Sequence, residues 1–123
     1  MARVLVVDDA PEVRMAVRRM LERQGHAAAE AESGGTAMTA LAAGGYDLVV
    51  CDIWMPGIDG IALLKEAGRR WPDLPFLVIS GGGARVPLAQ SAALAETYGA
   101  GAVLYKPFEP EALRDAVDAL LGR

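Results

Sequence analysis

Short apolar runs alternate with longer amphipathic segments along the whole chain. The apolar runs predict five strands, at Arg3 to Val7, Ala27 to Ala31, Leu48 to Cys51, Phe76 to Ile79 and Ala102 to Tyr105. Helical spacing of apolar residues, together with proline, serine and glycine signals at segment ends, predicts five helices. These helices are expected from Pro11 to the stop at Gly25, Ser33 to Ala43, Gly60 to Trp71, Leu88 to Tyr98 and Pro110 to Leu121.

This alternation predicts an α/β fold. Strands that are apolar at almost every position are typical of parallel sheets with both faces covered by helices. Right-handed crossovers then give a doubly wound (βα)5 three-layer sandwich. Because no repeat, linker or low-complexity segment interrupts the pattern, we expect residues 1–123 to form a single domain.

Composition narrows the class of protein. The chain of 123 residues is 53% hydrophobic, enough to bury a core. A net charge of -4 argues against nucleic-acid binding by bulk electrostatics. The apolar runs are too short to span a bilayer, and no signal peptide precedes the first strand, so we expect a cytoplasmic protein without a membrane partner. One cysteine and one histidine exclude an internal disulfide and a Cys/His zinc site.

Four of the five predicted strands are followed by, or end in, a polar residue whose side chain can bind a ligand or take part in a reaction. Asp8 and Asp9 follow the first strand, Asp52 the third, Ser80 the fourth and Lys106 the fifth. A helix cap or a turn explains any one of them, but not all of them at the same kind of position. Since parallel strands point the same way, we expect these side chains at one edge of the sheet, where such folds bind ligands.

The chemistry of this set indicates phosphoryl transfer. Three neighbouring carboxylates repel one another, and a hard divalent cation such as magnesium relieves the repulsion. Lys106 can pair with a transferred anionic group, and the Ser80 hydroxyl adds a neutral donor. An aspartate beside a metal and a lysine is a suitable nucleophile for a phosphoryl group. No Walker-type glycine-rich loop is present, so nucleotide binding is not favoured.

Several short motifs occur in a fixed order. They are the acidic pair after the first strand, Asp52 followed by Met55-Pro56-Gly57 and Asp59-Gly60, then Ser80, and finally Lys106-Pro107-Phe108. With this ordered set the chain resembles, over essentially its whole length, the CheY-like receiver domains of two-component response regulators. The resemblance implies a flavodoxin-like strand order of 2-1-3-4-5.

The resemblance also implies a role for each acidic position. Asp52 would be the phosphoacceptor, taking the group from the histidine of a sensor histidine kinase or a histidine phosphotransfer protein. Asp9 would bind Mg2+ directly and Asp8 largely through water. The backbone carbonyl of Trp54 would supply a further ligand alongside Asp52.

Ser80 and Lys106 would both contact the phosphoryl group, and the Lys106–Pro107 bond is expected to be cis. The domain would catalyse only its own phosphorylation and dephosphorylation, so it is not expected to be an enzyme with a separate substrate. It would signal through contact with a downstream protein. The residues fit both a stand-alone regulator and a receiver domain within a larger transcription factor or hybrid kinase.

Three features depart from the usual receiver pattern. Val103 stands where a switching aromatic residue is common, and we expect alternation and register to keep Tyr105 from taking that role. Trp54 occupies a position that is usually small or polar. The segment between Ser80 and Gly99 is longer than is typical and begins with Gly81-Gly82-Gly83. We therefore expect the output signal to leave through residues 81–98.

Two other functions share part of this pattern. A haloacid-dehalogenase-like phosphatase would need a second carboxylate where Trp54 stands. A pseudo-receiver that acts only as a docking module should lack an acidic residue or Lys106, and none is missing. Of the remaining residues, His26 is expected at the surface, and Cys51 is expected to pack as a small apolar side chain.

Overall fold

A computed structural model describes residues 1–53, 60–80 and 99–122. The strands are β1 (Arg3–Val7), β2 (Ala27–Ala31), β3 (Leu48–Asp52), β4 (Phe76–Ser80) and β5 (Ala102–Tyr105). The helices in these ranges are α1 (Pro11–Arg23), α2 (Gly34–Ala43), α3 (Gly60–Arg70) and α4 (Pro110–Leu121). The predicted helix from Leu88 to Tyr98, the Gly81–Gly83 run and the predicted ligand Trp54 lie outside the described residues.

The five strands form one parallel sheet in the order β2-β1-β3-β4-β5. The predicted α/β fold and its flavodoxin-like strand order are confirmed. Because β1 lies between β2 and β3, the winding direction reverses at β1 and β3. A doubly wound sheet binds its ligands beyond the carboxyl ends of the strands at such a point.

Both faces of the sheet are covered, which explains the unbroken apolar runs. Every residue of β3 and β4 is buried. Val49 and Cys51 enter the core layer beneath α2 and α3, whereas Leu48 and Val50 enter the layer beneath α1 and α4. A central strand must therefore be apolar at successive positions rather than at alternate ones.

Local signals in the sequence account for the helix ends. Ser33 caps α2: its hydroxyl accepts from the Thr36 N–H, and Thr36 Oγ1 accepts from the Ser33 N–H, which completes a capping box. Pro11 and Pro110 open α1 and α4, where a missing N–H costs nothing. In the three described ranges, no helix has the length and hydropathy needed to cross a membrane.

The predicted surface position of His26 is wrong. The side chain is 6% exposed, and its Nδ1 accepts a hydrogen bond from the Ala2 N–H over 3.1 Å. The turn at Gly25, where φ is +91°, returns the chain alongside the start of β1, and the Ala27 N–H then donates to the Ala2 carbonyl oxygen. His26 is buried by this return of the chain. The predicted burial of Cys51 is confirmed.

Candidate functional site

Three carboxylates converge at the carboxyl edge of the sheet. Val7 in β1 is in register with Cys51 in β3, so the residues that follow them, Asp8 and Asp52, emerge side by side. One oxygen from each of Asp8, Asp9 and Asp52 lies within 4.8 Å of the others. Asp8 and Asp52 are buried while Asp9 is exposed, so the cluster is open to solvent on one side.

These oxygens fit a magnesium ion. Two ligands bound to one Mg2+ at about 2.1 Å lie no more than about 4.2 Å apart. Adjacent ligands in an octahedral magnesium site lie only about 3.0 Å apart. Oxygens separated by up to 4.8 Å must therefore move toward the ion, or one of them must bind it through a bridging water. An all-oxygen donor set is also the kind that magnesium prefers. Asp8 is partly committed already, since its Oδ1 accepts from the Ala10 N–H over 2.9 Å.

Lys106 places a positive charge against two of these carboxylates. Its Nζ lies 3.4 Å from Asp8 Oδ2 and 3.7 Å from Asp52 Oδ2. The backbone of Lys106 is held in place because its amide N–H donates to the Ser80 carbonyl oxygen over 3.0 Å. The Lys106–Pro107 peptide bond is cis, as predicted. Lys106 therefore balances part of the negative charge in this cluster.

The Ser80 hydroxyl lies at the end of β4 on the same edge of the sheet. The residue is fully buried, and its Oγ has no hydrogen-bond partner among the residues that the structure describes. A buried hydroxyl without a partner is costly, so such groups are rare unless a ligand or water completes them. Within the described residues, the Ser80 hydroxyl is therefore a candidate donor to an acceptor bound at this edge.

Two residues to which the sequence pattern assigns no role in the site also support it. The guanidinium of Arg14 donates to the Asp8 carbonyl oxygen over 2.8 Å. Gly60 stands out in the sequence only as part of a motif, yet a Cβ there would overlap the backbone of Asp52 and Ile53. The sequence signals are weak: an arginine one turn into the helix after the acidic pair, and a glycine at the start of a helix.

A sequence profile described as the response regulator receiver domain matches residues 4–118. The chain belongs to this family. Receiver domains are the phosphoacceptor modules of two-component signalling, and they generally bind Mg2+ at an acidic pocket. They interact with histidine kinases or phosphotransfer proteins and are generally not enzymes in the usual sense.

Curated relatives of this receiver domain include proteins of very different length. It is 40% identical over 93% of its length to the C4-dicarboxylate transport transcriptional regulatory protein DctD of Pseudomonas aeruginosa, of which it covers 24%. It is 36% identical over 98% of its length to the response regulator MprA of Mycolicibacterium vanbaalenii, of which it covers 51%. It is 31% identical to the chemotaxis protein CheY of Pseudomonas aeruginosa, with 98% of this chain and 97% of that protein covered.

Solved structures of other receiver domains have the same fold. The receiver domain of NtrX from Brucella abortus superposes with a TM-score of 0.89 at 34% identity, covering 97% of this chain and 98% of that one. A response regulator receiver domain protein from Clostridium thermocellum gives a TM-score of 0.91 at 26% identity, covering 100% and 96%. The chain spans only about a quarter to a half of several of its curated relatives, which are therefore larger proteins.

This receiver domain departs from the common pattern at β5. Val103 is half-buried, lies beside Val78 in the sheet, and packs against the core layer of α2 and α3. Tyr105 is 45% exposed and lies beside Ser80. Alternation does not separate these two residues, because positions two apart in a strand share a face, so that part of the expectation is wrong. The two residues do differ in register, because Val103 is paired with Val78 and Tyr105 with Ser80.

Proposed function

We propose that residues 1–123 form one receiver domain in which Asp52 accepts a phosphoryl group in a Mg2+-dependent reaction. The donor is a phosphohistidine on a sensor kinase or a phosphotransfer protein. One observation carries the proposal: the Asp52 carboxylate lies at the end of a buried strand, with two acidic side chains within 4.8 Å and the Lys106 ammonium at 3.7 Å.

The proposed reaction is an exchange of one bond to phosphorus. An Asp52 carboxylate oxygen attacks the phosphorus, the P–O bond forms, and the P–N bond to the donor imidazole breaks. Magnesium, when bound, would neutralise charge on the phosphoryl oxygens. Asp9 is the exposed, direct ligand in this scheme. Asp8 acts through water, because its Oδ1 already accepts from a backbone N–H.

Lys106 and Ser80 would act on the transferred group. Lys106 would move its charge from the two carboxylates to a phosphoryl oxygen, a shift that its partial exposure of 27% at the side chain permits. Ser80 would donate its buried hydroxyl to another phosphoryl oxygen. The Trp54 carbonyl completes the proposed metal ligands.

Output is proposed to occur by protein contact in the cytoplasm. This covers both a stand-alone regulator and a receiver within a longer protein, as in relatives that extend well beyond the matched segment. The alternative of a docking module that is never phosphorylated predicts no phosphate on Asp52. The complete set of Asp8, Asp9, Asp52 and Lys106 supports the phosphorylated form.

Intact mass measured after incubation with Mg2+ and a small phosphodonor tests the proposal. The parent should gain one phosphate, and Asp52→Asn should gain none. Asp73→Asn is the matched control, because Asp73 is an exposed aspartate at the opposite edge of the sheet, and it should be phosphorylated like the parent. Equal labelling of Asp52→Asn and the parent would show that another residue is the acceptor.

A further inference from the structure

Arg14 links the acidic turn after β1 to the neighbouring strand β2. Its Nη1 donates to the Asp8 carbonyl oxygen over 2.8 Å, and its Nε donates to Glu30 Oε1 over the same distance. The side chain is only 16% exposed, so water competes weakly for these contacts. One guanidinium thus connects α1, the turn and β2.

The Glu30 carboxylate, which accepts the hydrogen bond from Arg14, is itself held in place by a second arginine. Arg18 Nη1 lies 3.0 Å from Glu30 Oε2, so both oxygens of the carboxylate are paired. A second bond joins the turn to β2, because the Asp8 N–H donates to the Ala31 carbonyl oxygen over 3.1 Å. The N–H and the carbonyl of Asp8 are therefore both tied toward β2.

This tie matters because the turn carries two of the three clustered carboxylates. Without a cation, their mutual repulsion tends to open the turn and separate Asp8 from Asp52. A backbone that is already fixed binds a ligand more tightly, because less order has to be imposed on binding. We propose that Arg14 is a positioning residue for the magnesium site, holding the Asp8–Asp9 turn in its cation-binding geometry before the ion arrives.

The chemistry requires arginine and its glutamate together. A guanidinium presents several donors in a rigid fork and can serve two acceptors on different elements, whereas a lysine ammonium is a single compact charge. A bare positive charge behind the turn would disfavour a dication. Glu30 offsets the charge of Arg14, so the link can orient the turn with little electrostatic cost.

The inference rests on the proposed function and is tested with the metal alone. Mg2+ titrations of the full chain by calorimetry should compare the parent with Arg14→Gln, Arg14→Lys and Arg18→Gln. Arg14→Gln should weaken magnesium binding by about five- to tenfold, the effect of losing one hydrogen bond in the bound geometry. Arg14→Lys should recover less than half of that loss. Arg18→Gln removes the other partner of Glu30 and leaves the bond from Arg14 to Asp8 in place, so it should change the affinity less than twofold.

Amide hydrogen exchange in metal-free protein supplies an independent readout. Exchange at Asp8 and Ala10, whose N–H groups donate to Ala31 and to the Asp8 side chain, should accelerate in Arg14→Gln and not in Arg18→Gln. A purely structural role would instead lower the melting temperature of both variants and leave the magnesium affinity unchanged.

Equal magnesium affinity and equal exchange at Asp8 and Ala10 in the two glutamine variants would overturn the inference. If Arg14→Gln does not fold, Arg14→Lys carries the same comparison. A parent protein that binds no magnesium would count against the proposed function, and the exchange of the two amides would then decide by itself whether Arg14 holds the turn.

Discussion

The backbone of Gly60 lies directly against the carbonyl oxygen of Asp52, so close that a Cβ atom at Gly60 would overlap it. The Gly60 N–H also donates to the Ile53 carbonyl oxygen over 3.0 Å. Helix α3 therefore begins in contact with the backbone of the proposed phosphoacceptor. A side chain at position 60 cannot fit unless the helix or the end of β3 shifts.

Replacing Gly60 with alanine should destabilise the protein and slow phosphorylation together. The added methyl group meets backbone atoms that cannot rotate away, so the free energy of unfolding should fall by about 1–3 kcal/mol, as in other overpacked sites. Urea unfolding and the rate of phosphate gain by intact mass measure the two effects.

Gly68→Ala is the control, because Gly68 lies in the same helix and a Cβ atom added there would have nothing within 4 Å. That change should stabilise the protein by about 0.5–1 kcal/mol, since it removes a helical glycine. If Gly60→Ala is as stable as the parent, the contact with Asp52 is looser than its geometry implies.

Removal of the Lys106 charge should separate metal binding from phosphoryl transfer. Lys106 lies within 4 Å of two carboxylates that belong to the proposed cation site, so Lys106→Met should raise magnesium affinity, by about tenfold. Phosphorylation should nevertheless slow, because the transferred group loses a positive partner. Calorimetric titration and labelling rate measure the two quantities.

The control for this experiment is Lys65→Met, which removes the same charge from the exposed side of α3. It should change magnesium affinity less than twofold. A fall in affinity in Lys106→Met would mean that the lysine helps to assemble the carboxylates rather than competing with the cation.

Ser80→Ala should cost little stability. The Ser80 hydroxyl is buried and has no hydrogen-bond partner among the described residues, so we expect its removal to change the free energy of unfolding by less than about 0.5 kcal/mol. Ser33→Ala is the comparison, because that hydroxyl caps α2 and its loss should cost about 1 kcal/mol. Equal losses measured by chemical denaturation would show that Ser80 has a structural hydrogen bond in the resting protein.

His26→Ala should destabilise the protein by about 1–3 kcal/mol, because the buried Ala2 N–H loses its acceptor. His26→Asn should recover much of this loss, since the asparagine Oδ1 occupies nearly the position of Nδ1. Thermal and urea unfolding measure both variants. Identical stability of the alanine and asparagine variants would mean that packing of the ring, rather than its hydrogen bond, carries the effect.

The sequence predicts the sheet and the acidic edge well for physical reasons. Strands buried on both faces must be apolar throughout, and Leu48 to Cys51 and Phe76 to Ile79 can be recognised on that basis alone. Parallel topology then brings the ends of distant strands to one edge, so that Asp8 and Asp52 can be placed at the same edge without knowledge of any contact. That their strands are neighbours follows only from the resemblance to receiver domains.

Other features depend on neighbours that no local pattern reveals. His26 is buried because Ala2, 24 residues earlier, lies against it, although a histidine after a helix-ending glycine is typical of a surface turn. The proposed role of Arg14 has only a weak local signal, because its partner Glu30 is 16 residues away and on another element. An amphipathic helix explains an arginine at that position equally well by exposure to solvent.

Both described ends of the chain lie at the amino edge of the sheet, opposite the carboxylates. Met1 and Ala2 line the same shallow recess of about 370 Å³ as Leu120 and Leu121. A strand of five residues, about 16 Å, separates this recess from the acidic cluster. Circular permutation is therefore open to this fold: a short glycine linker could join the two ends, and the chain could be reopened at the Gly44–Gly45 turn. Anything fused at either set of ends would be tethered away from the mouth of the site.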